Sequence, residues 1–249
     1  MEKLVIIPTY NEKDNIAAII EAVNKLDKGY HVLIIDDGSP DGTADIVKEL
    51  IANTYPDQLF LEERKGKLGL GTAYIHGFKW ALARNYQYIF EMDADFSHNP
   101  QDLERLYEAC KYQGGDMAVG SRYVPGGKIE NWPLERKIYS KGGAIYTRLI
   151  TWIPVHDPTA GFVCYTYKVL DAINFDAINF VGYAFQVEMK FATWKLKFKI
   201  IEVPITFIDR QLGVSKMNKG ILKEGILGVL KLQWQSLFKR YSKKVKVNS

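Results

Sequence analysis

The chain has 249 residues, 47% hydrophobic and 25% charged, the composition of an ordinary folded domain and not of a disordered chain. Its two cysteines, Cys110 and Cys164, exclude a disulfide framework, lack the spacing of a zinc site and fit a reducing cytoplasm. The net charge of +4 is uneven: residues 211–249 carry nine basic side chains against one acid, which leaves residues 1–210 at −4, so an anionic surface is the expected partner of the end alone.

No apolar run reaches the roughly 18–20 residues of a membrane span, and the apolar start is too short for a signal peptide. A membrane role is therefore expected to be peripheral. LVIIP at 4–8 reads as a buried strand. Ile16, Ile19, Ile20, Val23 and Leu26 follow at helical spacing. VLIID at 32–36 predicts a second strand, and Ile46, Val47, Leu50 and Ile51 a second helix. A short strand is expected at Leu59–Leu61, a helix at Thr72–Arg84 and a strand at Tyr88–Met92. Pro100 opens a helix through Leu103, Leu106 and Cys110, and Met117–Val119 is the next strand. The alternation predicts an α/β fold with a mostly parallel sheet covered on both faces by helices. The second half is less regular, with helices expected at Ser140–Trp152 and Tyr183–Leu196 and a strand at Phe198–Phe207 in which Pro204 marks an edge or bulge.

Three acidic clusters follow predicted strands: Pro8-Thr9-Tyr10-Asn11-Glu12, Asp36-Asp37-Gly38-Ser39-Pro40-Asp41-Gly42-Thr43, and Asp93-Ala94-Asp95. Each alone reads as a turn or a helix cap. Together, at the carboxyl edge of one sheet, they gather carboxylates where such sheets bind ligands, and these repel unless a cation joins them. Asp93 and Asp95, one residue apart at a strand end, suit Mg²⁺ or Mn²⁺. His98 is read as a surface or hydrogen-bonding residue and left out of that site. Arg122, Arg136, Arg210 and Lys216, beside glycines and apolar residues, are the cations expected to meet phosphate.

PTYNE, DDGSPDGT, RKGKLGLGTAYIHGF, DADFSHNP, GSRY, the Arg136–Ser140 segment, DPTAGF and DRQLGVSK, in that order from Val5 to Lys216, resemble a family 2 glycosyltransferase, within it the dolichol (polyprenol) phosphate mannose synthases. The resemblance implies a GT-A type nucleotide-binding fold and metal-dependent, inverting transfer of mannose from GDP-mannose to a polyprenyl (dolichyl-type) monophosphate. It places Pro8, Tyr10, Glu12 and Asp37 on the nucleoside, Asp93 and Asp95 on the metal at the diphosphate, and Arg210 and Lys216 over that diphosphate. It places Arg122, Arg136 and Ser140 on the acceptor phosphate. Asp95, Arg122 and Arg136 are the expected catalytic residues. Ser97 departs from members that offer a glutamine there as third metal ligand.

The expected organisation is a catalytic domain at 1–216 and a basic amphipathic extension at 217–249. In that extension Ile226, Leu227, Leu230, Trp234, Leu237 and Phe238 interleave with lysines. Such a helix suits a membrane interface on the cytoplasmic face, and equally a core-packed helix with a solvated basic side. No nucleic-acid partner is expected. The rival readings are a relative using another donor such as UDP-glucose and a non-catalytic membrane-surface binding module. A polysaccharide synthase lacks support because Gln-x-x-Arg-Trp is absent.

Overall fold

The computed structural model describes residues 1–182, 184–209 and 219–243, with backbone alone for 219–226. The elements run β1 (Lys3–Thr9), α1 (Lys13–Asn24), β2 (Tyr30–Asp36), α2 (Thr43–Asn53), β3 (Leu59–Glu63), α3 (Leu70–Ala83), β4 (Tyr88–Glu91), α4 (Asp102–Lys111) and β5 (Met117–Ser121). They continue with β6 (Lys128–Glu130), α5 (Leu134–Thr151), β7 (Val163–Thr166), α6 (Tyr167–Ala172), α7 (Ala184–Lys195), β8 (Ile200–Pro204), β9 (Thr206–Ile208) and α8 (Lys219–Ser236).

Seven strands pair in the order β3-β2-β1-β4-β7-β5-β8, and β6 pairs with β9 in a separate ribbon. Every pairing in the large sheet is parallel except those of β7, which runs antiparallel to β4 and β5. The apolar strands bury both faces. Leu4, Ile6, Leu33 and Ile35 pack with Tyr74 and Phe78 of α3 and with Phe185 and Phe191 of α7. Val5, Ile7, Val32 and Ile34 pack with Ile16 and Ile20 of α1, Val47 of α2 and Leu103 of α4. Period-two alternation divides one continuous run between two cores. The α3 helix lies so close to β1 that a Cβ at Gly77 would come within 2.8 Å of Ile6.

Two strands were not expected. In β7 only four residues pair, and β6 has the pattern Lys-Ile-Glu with no apolar run, so neither carries a periodic signal. The α5 helix starts at Leu134, directly after Pro133, and not at Ser140; proline supplies the first-turn boundary. The predicted Phe198–Phe207 strand is two elements. Its first, β8, is the sheet edge and ends at Pro204, as the missing N–H requires.

The α8 helix packs against α5 and α7. Val229, Leu232 and the following Tyr241 are buried, while Leu227, Leu230, Trp234, Leu237 and Phe238 are exposed. Lys239 pairs with the fully buried Glu188 at 2.6 Å, and Asn174 N–H donates to the Tyr241 carbonyl at 2.7 Å. One face of the tail helix is core, as the core-packed alternative expects, and the other is bare. Among the described residues no helix is long and apolar enough to cross a membrane.

Candidate active site

Parallel strands β1, β2, β4 and β5 end at one edge of the sheet. Because β7 is antiparallel, the residues that lead into it arrive at that same edge. A cleft of about 410 Å³ lies there, and Pro8, Tyr10, Glu12, Asp37, Asp93, Asp95, Arg122 and Arg136 all line it. Ser140 is not among the lining residues; its Oγ accepts a bond from Tyr123 OH at 2.7 Å. Arg210 and Lys216 lie outside the described residues.

On the β1–β2 side the acids divide their work. Asp36 is a buried staple: it accepts Thr9 Oγ1 at 2.8 Å, Ser39 N–H at 2.8 Å and Ser39 Oγ at 2.6 Å. Asp41 accepts Lys13 N–H at 3.1 Å and both Thr43 N–H and its hydroxyl, so it caps and turns the chain. Glu12 accepts Asn15 Nδ2 at 3.0 Å. Asp37 pairs with Arg64, which the motif reading passed over; Arg64 Nε donates to it at 2.7 Å and Nη1 to Thr72 Oγ1 at 2.8 Å. Gly38, at φ +69°, has Gly66 N 3.2 Å from where a Cβ would sit, so the two loops meet backbone to backbone.

Asp93 and Asp95 follow β4 in the middle of the cleft. Asp95 is buried and takes Ser97 N–H at 3.1 Å, whereas the Asp93 side chain is 42% exposed. Two carboxylates spaced in this way can hold a hard divalent cation that completes its shell with phosphate oxygens and water. Among the described residues no three His, Cys, Asp or Glu side chains form a metal-binding group by themselves. His98 is not a surface residue. It lines the cleft, 3% exposed, with its ring stacked on Phe162 at 4.9 Å and Nε2 3.7 Å from Asp93 Oδ2. Burial pushes its pKa down to about 4, so the imidazole is neutral.

On the β5–β7 side, Asp157 is fully buried and grips Arg122 through Nε and Nη2, both at 2.7 Å, and through the backbone N–H at 3.0 Å. Thr159 Oγ1 accepts a further bond from Nη2 at 2.9 Å. Burial alone would raise the Asp157 pKa, but the Arg122 charge and bonds outweigh it and hold the carboxyl below its ordinary value. Glu202 of β8 takes the backbone N–H of His156 and of Asp157 at 2.7 and 2.9 Å. Arg136, in the first turn of α5, lies 3.9 Å over the Trp132 ring and donates to both oxygens of Asp209 at 3.0 Å. Of these partners, Asp157 and Thr159 fall inside DPTAGF and Asp209 opens DRQLGVSK, so the motifs were the available signal; Trp132 was given no role.

The glycosyl transferase family 2 model matches residues 4–173. The chain is 45% identical over 226 residues to the polyprenol monophosphomannose synthase of Mycolicibacterium smegmatis, covering 91% of this chain and 84% of that protein. It is 44% identical over 241 residues to the undecaprenyl-phosphate mannosyltransferase of Micrococcus luteus, covering 95% and 98%. Among solved structures, a mannosyltransferase from Pyrobaculum calidifontis in complex with GDP-Man and Mn²⁺ superposes with a TM-score of 0.59 at 16% identity, over 97% of this chain and 66% of that one. Residues 1–349 of S. aureus TarS in complex with UDP give 0.61 at 16% identity, over 98% and 67%. These two bear out the GT-A fold, and the chain spans about two thirds of their length. With the motifs lining one cleft and the family match covering most of its length, the chain belongs to glycosyl transferase family 2.

Proposed function

We propose that the protein transfers mannose from GDP-mannose to a polyprenyl monophosphate with inversion, using Mg²⁺ or Mn²⁺ held by Asp93 and Asp95. The observation that carries this is the division of the cleft. Pro8, Tyr10, Glu12 and Asp37, which we assign to the nucleoside, follow β1 and β2; Arg122 and Arg136 come after β5, and Asp93 and Asp95 follow β4 between them. The two relatives above, named for mannose transfer to polyprenyl phosphates, support the choice of sugar and acceptor.

The bound ion would neutralise charge growing on the leaving diphosphate. Arg210 and Lys216 are assigned to that same diphosphate from their motif. A phosphate monoester has a second pKa near 6, so the acceptor oxygen is ionised at neutral pH and needs placement more than a base. Arg136, cushioned on Trp132, is the residue assigned to place it, with Ser140 one helical turn further along α5. Arg122 adds positive charge and, through Asp157, shapes the wall. Asp95 acts through the ion; no proton acceptor is required.

The acceptor is a lipid, and the surface near Arg136 suits one. Leu134, Ile138, Ile145 and Leu149 form an exposed stripe along α5, at spacings of four and seven, and the exposed Trp152 follows directly after the helix. The bare apolar face of neighbouring α8 carries a second. With the basic residues of 217–249, these helices form the peripheral membrane face of a catalytic body spanning 1–216, on the cytoplasmic side of the membrane.

The test is transfer by the purified protein to a polyprenyl phosphate from GDP-mannose, UDP-glucose and UDP-N-acetylglucosamine in parallel, with and without a chelator. Mannosyl lipid from GDP-mannose alone, lost on chelation, is expected. Product from a UDP-sugar in preference would overturn the donor, and undiminished turnover in chelator would overturn the metal.

A further inference from the structure

Behind the cleft wall lies a buried ammonium that the transfer scheme does not use. Lys190, on α7, is fully buried. Its Nζ donates to the Ala160 carbonyl at 2.6 Å, and to the Gln186 carbonyl and Oε1 at 3.2 Å each. Three acceptors therefore meet its three protons. Glu91, the last residue of β4, is equally buried, with Lys190, Gln186 and Tyr165 beside its carboxyl. Burial drives the Lys190 pKa down and the Glu91 pKa up, and each charge pulls the other back.

A buried charge is seldom kept for stability, because apolar side chains of the same volume do as well or better. Where the Lys190 bonds end is the informative fact. Ala160 and Gln186 both line the cleft. Ala160 belongs to the turn that begins at Asp157, and its own N–H donates to the Asp157 carbonyl at 3.3 Å. Arg122 and Glu202 hold the Asp157 end of that turn, and Lys190 holds the Ala160 end. Without the ammonium, the carbonyl loses a charge-assisted bond and the wall is fixed at one end only.

We propose that Lys190 is a positioning residue for sugar transfer, fixing the Thr159–Gly161 wall and the Gln186 side chain through the Ala160 carbonyl. This rests on the cleft being the transfer site. The nucleoside residues belong to the ends of β1 and β2, with β4 between them and β7, so loss of Lys190 should lower turnover and leave nucleotide binding intact.

The experiment compares Lys190→Met, Glu91→Gln and the double variant by GDP affinity with Mn²⁺ present, thermal unfolding and mannosyl transfer. Lys190→Met removes the positive charge beside the buried Glu91 carboxyl, and the double variant removes that acid as well and restores the fold. In the folded double variant kcat falls about ten- to a hundredfold, with GDP affinity unchanged. Glu91→Gln, which keeps the Ala160 bond, turns over like the wild type. A double variant that regains transfer along with its stability would show that Lys190 only neutralises Glu91, and would overturn the proposal. A loss in Glu91→Gln as large as in the double variant would overturn it too. A wild-type protein that transfers no mannose overturns the reading of the cleft, and this proposal with it.

Discussion

The β1–β2 side of the cleft is shaped mainly by two short stretches, 8–15 and 36–43, that staple each other through Asp36, Ser39, Asp41 and Thr43. The β5–β7 side draws on Arg122 with Asp157, 35 residues apart, His156 with Glu202, 46 apart, and Arg136 with Asp209, 73 apart. Both sides join segments well separated in sequence, but the first bridges 27 to 31 residues, mainly through hydrogen bonds from backbone N–H groups and hydroxyls with one ion pair, Asp37–Arg64. The second bridges 35 to 73 residues, mainly through charged side chains.

Breaking the centre of that division should have the largest effect. If Asp95 holds the proposed ion, Asp95→Asn removes one of its anionic oxygens and is expected to lower kcat by roughly 10²–10³, with the fold retained, measured by steady-state transfer with saturating metal. Near-normal turnover would remove Asp95 from the metal site.

The distant pairs are the next target. Asp157→Ala leaves the buried Arg122 guanidinium uncompensated, and chemical denaturation should show a loss of about 3–5 kcal/mol. The carboxyl pKa is depressed in the folded state. Its stabilisation is therefore complete above the ordinary carboxylate value near 3.8 and fades as pH falls below it. Asp157→Asn should flatten the acid limb of the stability curve, and an unchanged limb would mean that the pair adds nothing to folding.

The smallest effect expected is at the lipid face. Trp152→Ser with Trp234→Ser removes two exposed indoles, 75% and 69% accessible, without touching the core. Sedimentation with anionic liposomes should weaken by about tenfold or more, since burying an aromatic contributes about 1.5–3 kcal/mol. Folding and transfer to a short water-soluble acceptor should stay intact. Unchanged sedimentation would place the membrane contact elsewhere. Truncation before α8 is a poorer test, because it would also take the buried Val229 and Leu232 out of the core and leave Glu188 without Lys239.

Much of the β1–β2 side was legible in sequence. Buried β-branched runs mark β1 and β2, and the acids after them mark the carboxyl edge; what the pattern did not separate was the staple Asp36 from the cleft-lining Asp37. A strand alternates its side chains, but a turn reorients them, so neighbouring acids in DDGSPDGT part ways only in three dimensions. The antiparallel β7 and the burial of His98 were not legible. Val163–Thr166 is too short to show direction, and a histidine in a polar loop gives no sign that Phe162 and Phe207 will close over it. Arg64, although it opens RKGKLGLGTAYIHGF, and Lys190 received no role from the sequence, because nothing nearby in the chain announces Asp37 or Glu91.

The division of the cleft is tested most directly by a crossed comparison of Asp93→Asn and Arg136→Ala, with GDP affinity measured by calorimetry in Mn²⁺ and the KM for polyprenyl phosphate by initial rates. Asp93→Asn should lose GDP affinity and keep its acceptor KM. Arg136→Ala should keep GDP affinity and raise the acceptor KM about ten- to a hundredfold, the value of one charge-assisted contact. Arg136→Ala binding GDP poorly while using the acceptor normally would contradict the account, because it would put the arginine on the nucleotide and leave the acceptor side without its anchor.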